Sequence, residues 1–425
     1  MFAQTAEPES NSTKDRILFT GEDYQPVMKD EYLVDQPSPG KYLPADSSAK
    51  LPAEKFYLPG GLPPSFDLSN ELIRAHGRAV HSLGRLDGFL SEVEDTNDAL
   101  GLFVYKEAEQ SSQVEGTQVT VSDMLGKEDS KDVREARNYA SALQEAAEQL
   151  NEMGRSRENL SVELLKSLHE YLMESGRTDD DDPRPGEFRE QYVWIEEDVD
   201  VGQKIRFVPP KAEIAVRKMN NFEEYIQSEG NYPDLIDIGI LHYQLETIHP
   251  FLDGNGRVGR LLIVLMLIAT DILVYPSFYL SSYIRRNKDK YTDLLLEVSE
   301  EGEWENWMLF FLKGMREQAD EAFSRAKLLL ELRKKYRHQY RDAKPSVQEL
   351  VDTLFEEPVF TASRASELID RSYPATNSAI SVLEEEGTIR ETTGKSRYRE
   401  FQSDDILDVL NKSIGELPEP GDFIS

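Results

Sequence analysis

Between Ile248 and Arg260 the chain reads IHPFLDGNGRVGR, which crowds an imidazole, a carboxylate, a carboxamide, two guanidinium groups and three glycines into one short segment. A histidine titrates close to neutrality, so His249 suits a general base for an incoming hydroxyl. Pro250 disfavours α geometry at the residue before it and so tends to end the preceding helix at His249, facing a loop. Glycines 254, 256 and 259 allow backbone conformations that turn successive N–H groups onto one concave side. The apolar run LLIVLMLIAT that follows reads as a buried helix. Its first N–H groups lack internal partners, and its dipole favours an anion. Arg257 and Arg260, three apart, share a face at that helix start. Together these features make a phosphate site. Asp253, a hard oxygen ligand in the same loop, can hold Mg²⁺ alongside phosphate oxygens. A base within reach of a polyphosphate is the constellation for moving a nucleotidyl or phosphoryl group to a hydroxyl.

Each part has an ordinary structural reading: a histidine before proline is usually architectural, and a lone GNG is usually a turn. Their conjunction with Asp253 and two arginines points to function. A metal reading also exists, since His242, Glu246 and His249 share one helix face and Glu246 with His249 forms the E-x-x-H of di-iron bundles. Such sites need a second E-x-x-H. None of the other four histidines has a carboxylate three residues before it.

The elements that must position this loop are mostly helical. DLIDIGILHYQLETIHPF (234–251) has Leu235, Ile238, Leu241, Leu245 and Ile248 on a core-facing stripe. Helical sequence begins at NELIRAHGRAVHSL, with Asp67 or Ser69 as cap, and runs to about residue 340. One interruption stands out. QYVWI (191–195) and KIRFV (204–208) are rich in β-branched and aromatic residues, flank a turn with Gly202 and are closed by Pro209 and Pro210, which predicts a β-hairpin flap. The aromatic cluster in WENWMLFFLKGM reads as core. From 345 the order is helix, short helix, turn, third helix and then TIRETTGKSRYREF as a two-stranded wing, a winged-helix order. The expected organisation is an extended arm over 1–55, an N-terminal helical region over 56–160, a catalytic core over 161–330 and a linker helix with a winged-helix module over 331–425. The fold class is mainly α.

Composition narrows the setting. Acidic residues outnumber basic ones 80 to 48, giving a formal charge of -32, which disfavours a general affinity for nucleic acid or anionic membranes. Cysteine is absent, so disulfides, thiolate metal sites and cysteine nucleophiles are excluded. No signal peptide is read at MFAQTAEPES, and the longest apolar run is too short to span a bilayer. These features lead to the expectation of a soluble cytoplasmic protein.

HPFLDGNGRVGR resembles the signature H-P-F-x-[DE]-G-N-G-R-x-x-R of the Fic family of protein adenylyltransferases at every fixed position. The likeness extends to PGEFRE (185–190), the flap, LHYQLETIHPF and YLSSYIRRNKDKY (279–291), covering roughly residues 55–330. It implies a Fic-type helical bundle that moves AMP from ATP to a tyrosine, threonine or serine hydroxyl of a target protein. By that resemblance His249 is the base and Asp253 the magnesium ligand. Asn255 forms the phosphate cradle with the backbones of Gly254 and Gly256, while Arg257 and Arg260 neutralise the β and γ phosphates. Asn287 and Tyr291 sit where the family often contacts the nucleoside, although KDKYTDL stands here in place of paired tyrosines. The flap, with an exposed edge, would clamp an extended target segment by strand addition.

Upstream, EAEQSSQVEGT (107–117) resembles the inhibitory helix S-x-x-x-E-G of self-restrained members, here Ser111, Glu115 and Gly116. Glu115 placed beside Arg260 would take the cation meant for the γ phosphate. Some braked members also remove AMP, so hydrolysis stays open. A rival class is a winged-helix DNA-binding regulator with a degenerate or different nucleotide-transfer activity. Its recognition helix ATNSAISVLEEEG carries no arginine or lysine, and only Lys395, Arg397 and Arg399 of the wing are basic. Protein interaction is therefore favoured over DNA binding. A homodimer is left open.

Overall fold

Side-chain oxygens just ahead of apolar-periodic stretches start several helices. The computed structural model describes residues 3–5, 39–45, 53–92, 97–174, 184–198, 202–395 and 397–417. In it Ser69, not Asp67, caps α1 (Asn70–Glu92), its Oγ accepting the Leu72 N–H at 3.1 Å. After α2 (Asn97–Val114), Thr120 and Asp123 form a reciprocal capping box for α3 (Val121–Leu125). Ser130 and Ser161 cap α4 (Lys131–Met153) and α5 (Val162–Met173). The bundle continues through α6 (Ala212–Ile226), α7 (Asp234–Ile248), α8 (Asn255–Ala269), α9 (Ser281–Arg286), α10 (Lys288–Glu301) and the long α11 (Trp304–Gln339).

The two helices that bracket the chemical loop lie at the centre. Every residue of α8 except Gly256 is buried, and every residue of α7 except Asp234 and Glu246. A helix covered on all sides has no solvent face to keep polar, so the expected single stripe on α7 widens to the whole circumference. Trp307 and Phe311 of α11 are fully buried, with the Trp307 indole N–H donating to the Gly239 carbonyl at 3.0 Å. These contacts make α7 and α8 a rigid base for the loop between them.

Three small sheets accompany the helices. β1 (Ala3–Thr5), β4 (Val193–Asp198) and β5 (Gln203–Phe207) form one, in the order β1-β4-β5, all antiparallel. β2 (Gly40–Pro44) pairs with β3 (Lys55–Pro59). The flap is therefore not a free hairpin: the outer edge of β4 carries β1, with Ala3 opposite Ile195 and Thr5 opposite Val193.

The C-terminal part contains α12 (Pro345–Thr353), β6 (Val359–Thr361), α13 (Ala362–Leu368), α14 (Tyr373–Glu385), β7 (Arg390–Glu391), β8 (Glu400–Gln402) and α15 (Asp404–Asn411). The expected two-stranded unit has a third strand, because the apolar pair Val359 and Phe360 lets β6 join β8 on the side away from β7. This part is not a separate body: its apolar residues join the bundle's in one continuous core. Arg325 of α11 donates to the Lys412 carbonyl at 3.0 Å, and Lys106 of α2 to Asn411 Oδ1 at 3.0 Å. No described helix is long and apolar enough to cross a membrane.

Candidate functional site

His249 terminates α7 in the left-handed conformation (φ 50, ψ 60), as a residue before proline is pushed out of the right-handed helix. Its ring Nδ1 lies 3.2 Å from the Glu246 carbonyl, which can only accept, so Nδ1 carries the proton and Nε2 keeps the lone pair. Burial, and then the nearby Arg189 guanidinium, bring the imidazole down to about 4, so it is neutral near pH 7. A neutral imidazole with a fixed tautomer is what a general base requires.

The loop after His249 is closed by its own side chains. Asn255 accepts the Phe251 N–H at 2.9 Å and donates to the Phe251 carbonyl at 2.8 Å, so its buried carboxamide shapes the loop. Gly254 precedes α8 with φ 74, a region that L side chains rarely enter. His169 of α5 stacks on the Phe251 ring with centroids 3.9 Å apart. It accepts the Gly186 N–H on Nδ1 at 2.9 Å and so donates from Nε2 to the Asp253 carbonyl at 3.1 Å. Asp253 takes the Gly254 N–H on Oδ1 at 2.6 Å, and its Oδ2 stands 3.6 Å from Arg257.

No side chain caps the first turn of α8, which leaves N–H groups there for an anion. Arg260, one turn in, is occupied. Its Nε donates to Ser111 Oγ at 2.9 Å, and its Nη2 donates to the Ser111 carbonyl at 3.1 Å and to Glu115 Oε1 at 2.6 Å. Burial alone would raise the Glu115 carboxyl, but the Arg260 guanidinium overrides it and holds the group well below the usual carboxylate range. The missing side chain at Gly256 makes room for this pair, since a Cβ there would lie 2.7 Å from Glu115 Oε1 and 2.8 Å from Arg260 Nη1. Lys288 of α10 donates to the Val114 carbonyl at 2.5 Å and so closes the end of α2 just ahead of Glu115. Gly116 follows with φ 100, turning the chain away.

Of these groups, His249, Glu115, Gly256, Arg260 and Lys288 line one solvent-open cleft, while Asp253, Gly254, Asn255 and Ser111 stand behind its wall. His249, Glu115, Gly256, Arg260 and Glu246 form its polar end, while Ile195, Phe207, Leu295 and Leu296 supply apolar walls. Such a cleft, part apolar and part cationic, suits a ligand with a flat apolar body and an anionic tail. Burial pushes the Glu246 carboxyl up to about 7, and its Oε1 has no hydrogen-bond partner among the described residues.

The structure thus brings together His249, Gly256, Arg260, Ser111 and Glu115, and sets the remaining expected residues around them. Arg257 turns away from the cleft to Glu135 of α4 at 2.5 Å. Asn287, at the α9–α10 junction, donates to the Tyr283 carbonyl at 2.9 Å and is not part of the cleft wall. Tyr291 is, with its hydroxyl 2.8 Å from His242 Nε2. His242 uses its other nitrogen on the Gly259 carbonyl at 3.2 Å, which leaves no lone pair for the di-iron reading. Among the described residues no cluster of three or more His, Asp or Glu stands ready for a metal. A half-exposed single carboxylate, Asp253, next to an uncapped helix start still fits Mg²⁺, which is commonly held by one or two carboxylates plus phosphates. Sequence reasoning gave no role to His169, Lys288, Glu135 or Arg189. Of these only Arg189, in PGEFRE, and Lys288, in YLSSYIRRNKDKY, lay in stretches that carried the resemblance.

Residues 159–267 match the model of the Fic/DOC family, and residues 73–148 match that of the Fic/DOC family N-terminal region. A probable protein adenylyltransferase of Aquifex aeolicus is 30% identical over 95 residues, which is 22% of this chain and 27% of that protein. The protein adenylyltransferase Fic of Aedes aegypti is 32% identical over 120 residues, 28% of this chain and 21% of the other. The chain thus spans about a quarter of the length of these curated relatives. In fold it is similar to the crystal structure of a Fic family protein from Desulfovibrio desulfuricans, with a TM-score of 0.51 at 19% identity, covering 80% of this chain and 98% of that one. Residues 73–148, which include Glu115, and residues 159–267, which include the loop from His249 to Arg260, are thus similar to the two parts of the Fic/DOC family.

Proposed function

We propose that this protein moves AMP from ATP to a hydroxyl side chain of a target protein, and that Glu115 restrains the reaction. The observation that carries the reading is the Glu115–Arg260 pair in the same cleft as a neutral His249 whose Nε2 has no hydrogen-bond partner among the described residues. In this reading Nε2 takes the proton of the target hydroxyl as its oxygen attacks the α phosphorus, and pyrophosphate leaves. The α8 N–H groups and Arg260 hold the phosphates, with the backbones of Gly254 and Gly256 as the cradle. Asp253 would hold Mg²⁺, which when bound neutralises phosphate charge. Asn255 supports the cradle by closing the loop, and Arg257 contributes positive potential from behind it. Mass spectrometry of the Glu115→Gly variant after incubation with ATP, magnesium and a cell lysate tests this: an added AMP mass on a hydroxyl is expected, and its absence from every protein present contradicts it.

Target docking takes a specific form here. The β4 edge of the flap is held by β1, so a target strand that joins the flap on that side displaces β1. Deleting residues 1–5 is expected to raise the initial rate of target modification, and a lower KM for the target with ATP KM unchanged is the measurement that checks it. We read the part from α12 to α15 as a winged-helix module that recruits protein. Arg399 on its wing stands 3.7 Å from Glu384 of α14, so part of its small positive charge is already neutralised.

A further inference from the structure

Arg189 is an expensive residue. It is 1% exposed, and among the described residues none of its hydrogen bonds goes to a carboxylate. Its fork instead collects main-chain carbonyls: His249 at 2.7 Å from Nε, Gln191 at 2.8 Å from Nη1, and Pro210 at 2.6 Å and Ile248 at 3.4 Å from Nη2. Its own N–H donates to the Pro250 carbonyl at 2.9 Å. Burying a guanidinium that is hydrogen-bonded only to neutral carbonyls is costly, and burial brings the group down to about 9 against the opposing pull of the nearby Glu213 carboxylate. Apolar packing would hold these strands and the helix end together at less cost.

What the fork does becomes clear from the three segments it joins. Gln191 leads into β4 and Pro210 follows β5, so both roots of the flap are fixed to one side chain. The other side of the fork grips the last carbonyls of α7, where His249 adopts a backbone conformation uncommon for residues other than glycine. After burial, the same guanidinium is the largest influence lowering the proton affinity of the imidazole.

We infer that Arg189 is a positioning residue for the base: its fork fixes His249 between the two roots of the flap, and its permanent charge opposes protonation of the imidazole. The inference deepens the reading of His249 as the base and rests on it. Other charged or titratable groups face the same ring. Glu246 comes from α7, Glu115 from the end of α2, Asp253 from the loop, Arg260 from α8, Arg206 from β5, and Lys288 with Tyr291 from α10. The Glu115 and Asp253 carboxylates favour a charged imidazole, and the Arg189 guanidinium opposes it more strongly than either promotes it.

The test uses the full chain with isotope-labelled histidine, and reads the His249 ring nitrogens by NMR from about pH 7.5 down to about pH 5. His249→Asn supplies the assignment. In the parent protein His249 is expected to stay neutral throughout. In Arg189→Gln it should take up protons within this range, an increase in proton affinity on the order of tenfold or more. Arg189→Lys keeps the charge but not the fork, so its His249 should stay neutral while AMP transfer at saturating ATP falls roughly tenfold. A folded Arg189→Gln whose His249 titrates as in the parent overturns the electrostatic claim. A fully active Arg189→Lys overturns the positional one, and decides the matter if Arg189→Gln does not fold. Because the titration needs no turnover, it stands even if no AMP transfer is found, so loss of the functional reading and loss of this inference are separate results.

Discussion

Replacing Glu115 by glycine is expected to raise AMP transfer roughly 10- to 100-fold, the equivalent of one charge-assisted hydrogen bond of about 1.5–3 kcal/mol. Glu115 Oε1 lies 2.6 Å from Arg260 Nη2, so a γ phosphate can reach that nitrogen only by breaking the pair. The pair is mostly shielded, with 2% exposure on the arginine side and 24% on the glutamate side, so solvent screening weakens it only in part. Removing the carboxylate does not free the guanidinium to wander, because Ser111 still accepts from Nε and Nη2. The cation is left vacant and aimed. Initial rates of label incorporation from ATP labelled at the α phosphate, parent against variant, check this. Equal rates would assign Glu115 to the surface acids of a strongly acidic chain.

His249→Asn should lower AMP transfer roughly 10²- to 10⁴-fold, the usual contribution of a positioned base. Asparagine is the replacement of choice because, glycine aside, it is among the residues that best tolerate the left-handed backbone held here, so alanine strain does not confuse the outcome. ATP affinity should persist, since the phosphate groups are held from α8 and by Arg260. The loss then falls on kcat at nearly constant KM for ATP. The pH dependence has a definite sign. The base works when neutral, and its proton affinity is lowered to about 4, so the rate should show no acid limb on going from about pH 7 to about pH 5. An ordinary histidine would lose most of its activity over that span.

What the sequence made legible was local. Residues 248–260 carry their chemistry within one loop, and Pro250 with Gly254 dictates the helix end and the helix start that frame it. The Ser111–Glu115 segment was legible through resemblance, and the structure places it at Arg260. Features that depend on distant chain were not. Arg257 pairs with Glu135, 122 residues away, and nothing in either local pattern signals that contact. Asn255 looked like a phosphate ligand by resemblance, yet its amide is matched in both directions by the Phe251 backbone four residues earlier. β1 lies on the flap although it is separated from β4 by nearly half the chain, which no periodicity in MFAQTAEPES reports. Arg189 shows the same limit: its partners are carbonyls, which have no sequence signature. The mainly α class was readable because α7 and α8 are long apolar segments. The third strand of the C-terminal sheet was not, because β6 is only three residues long.

The most direct test compares label from the α and γ phosphates of ATP in the Glu115→Gly protein, with His249→Asn introduced into the same background as the control. Transfer of AMP predicts protein-bound label from the α position only, linked to a hydroxyl and lost with His249. Label arriving from the γ position, or α label that persists at the same rate in the His249→Asn protein, would contradict the assignment of this cleft.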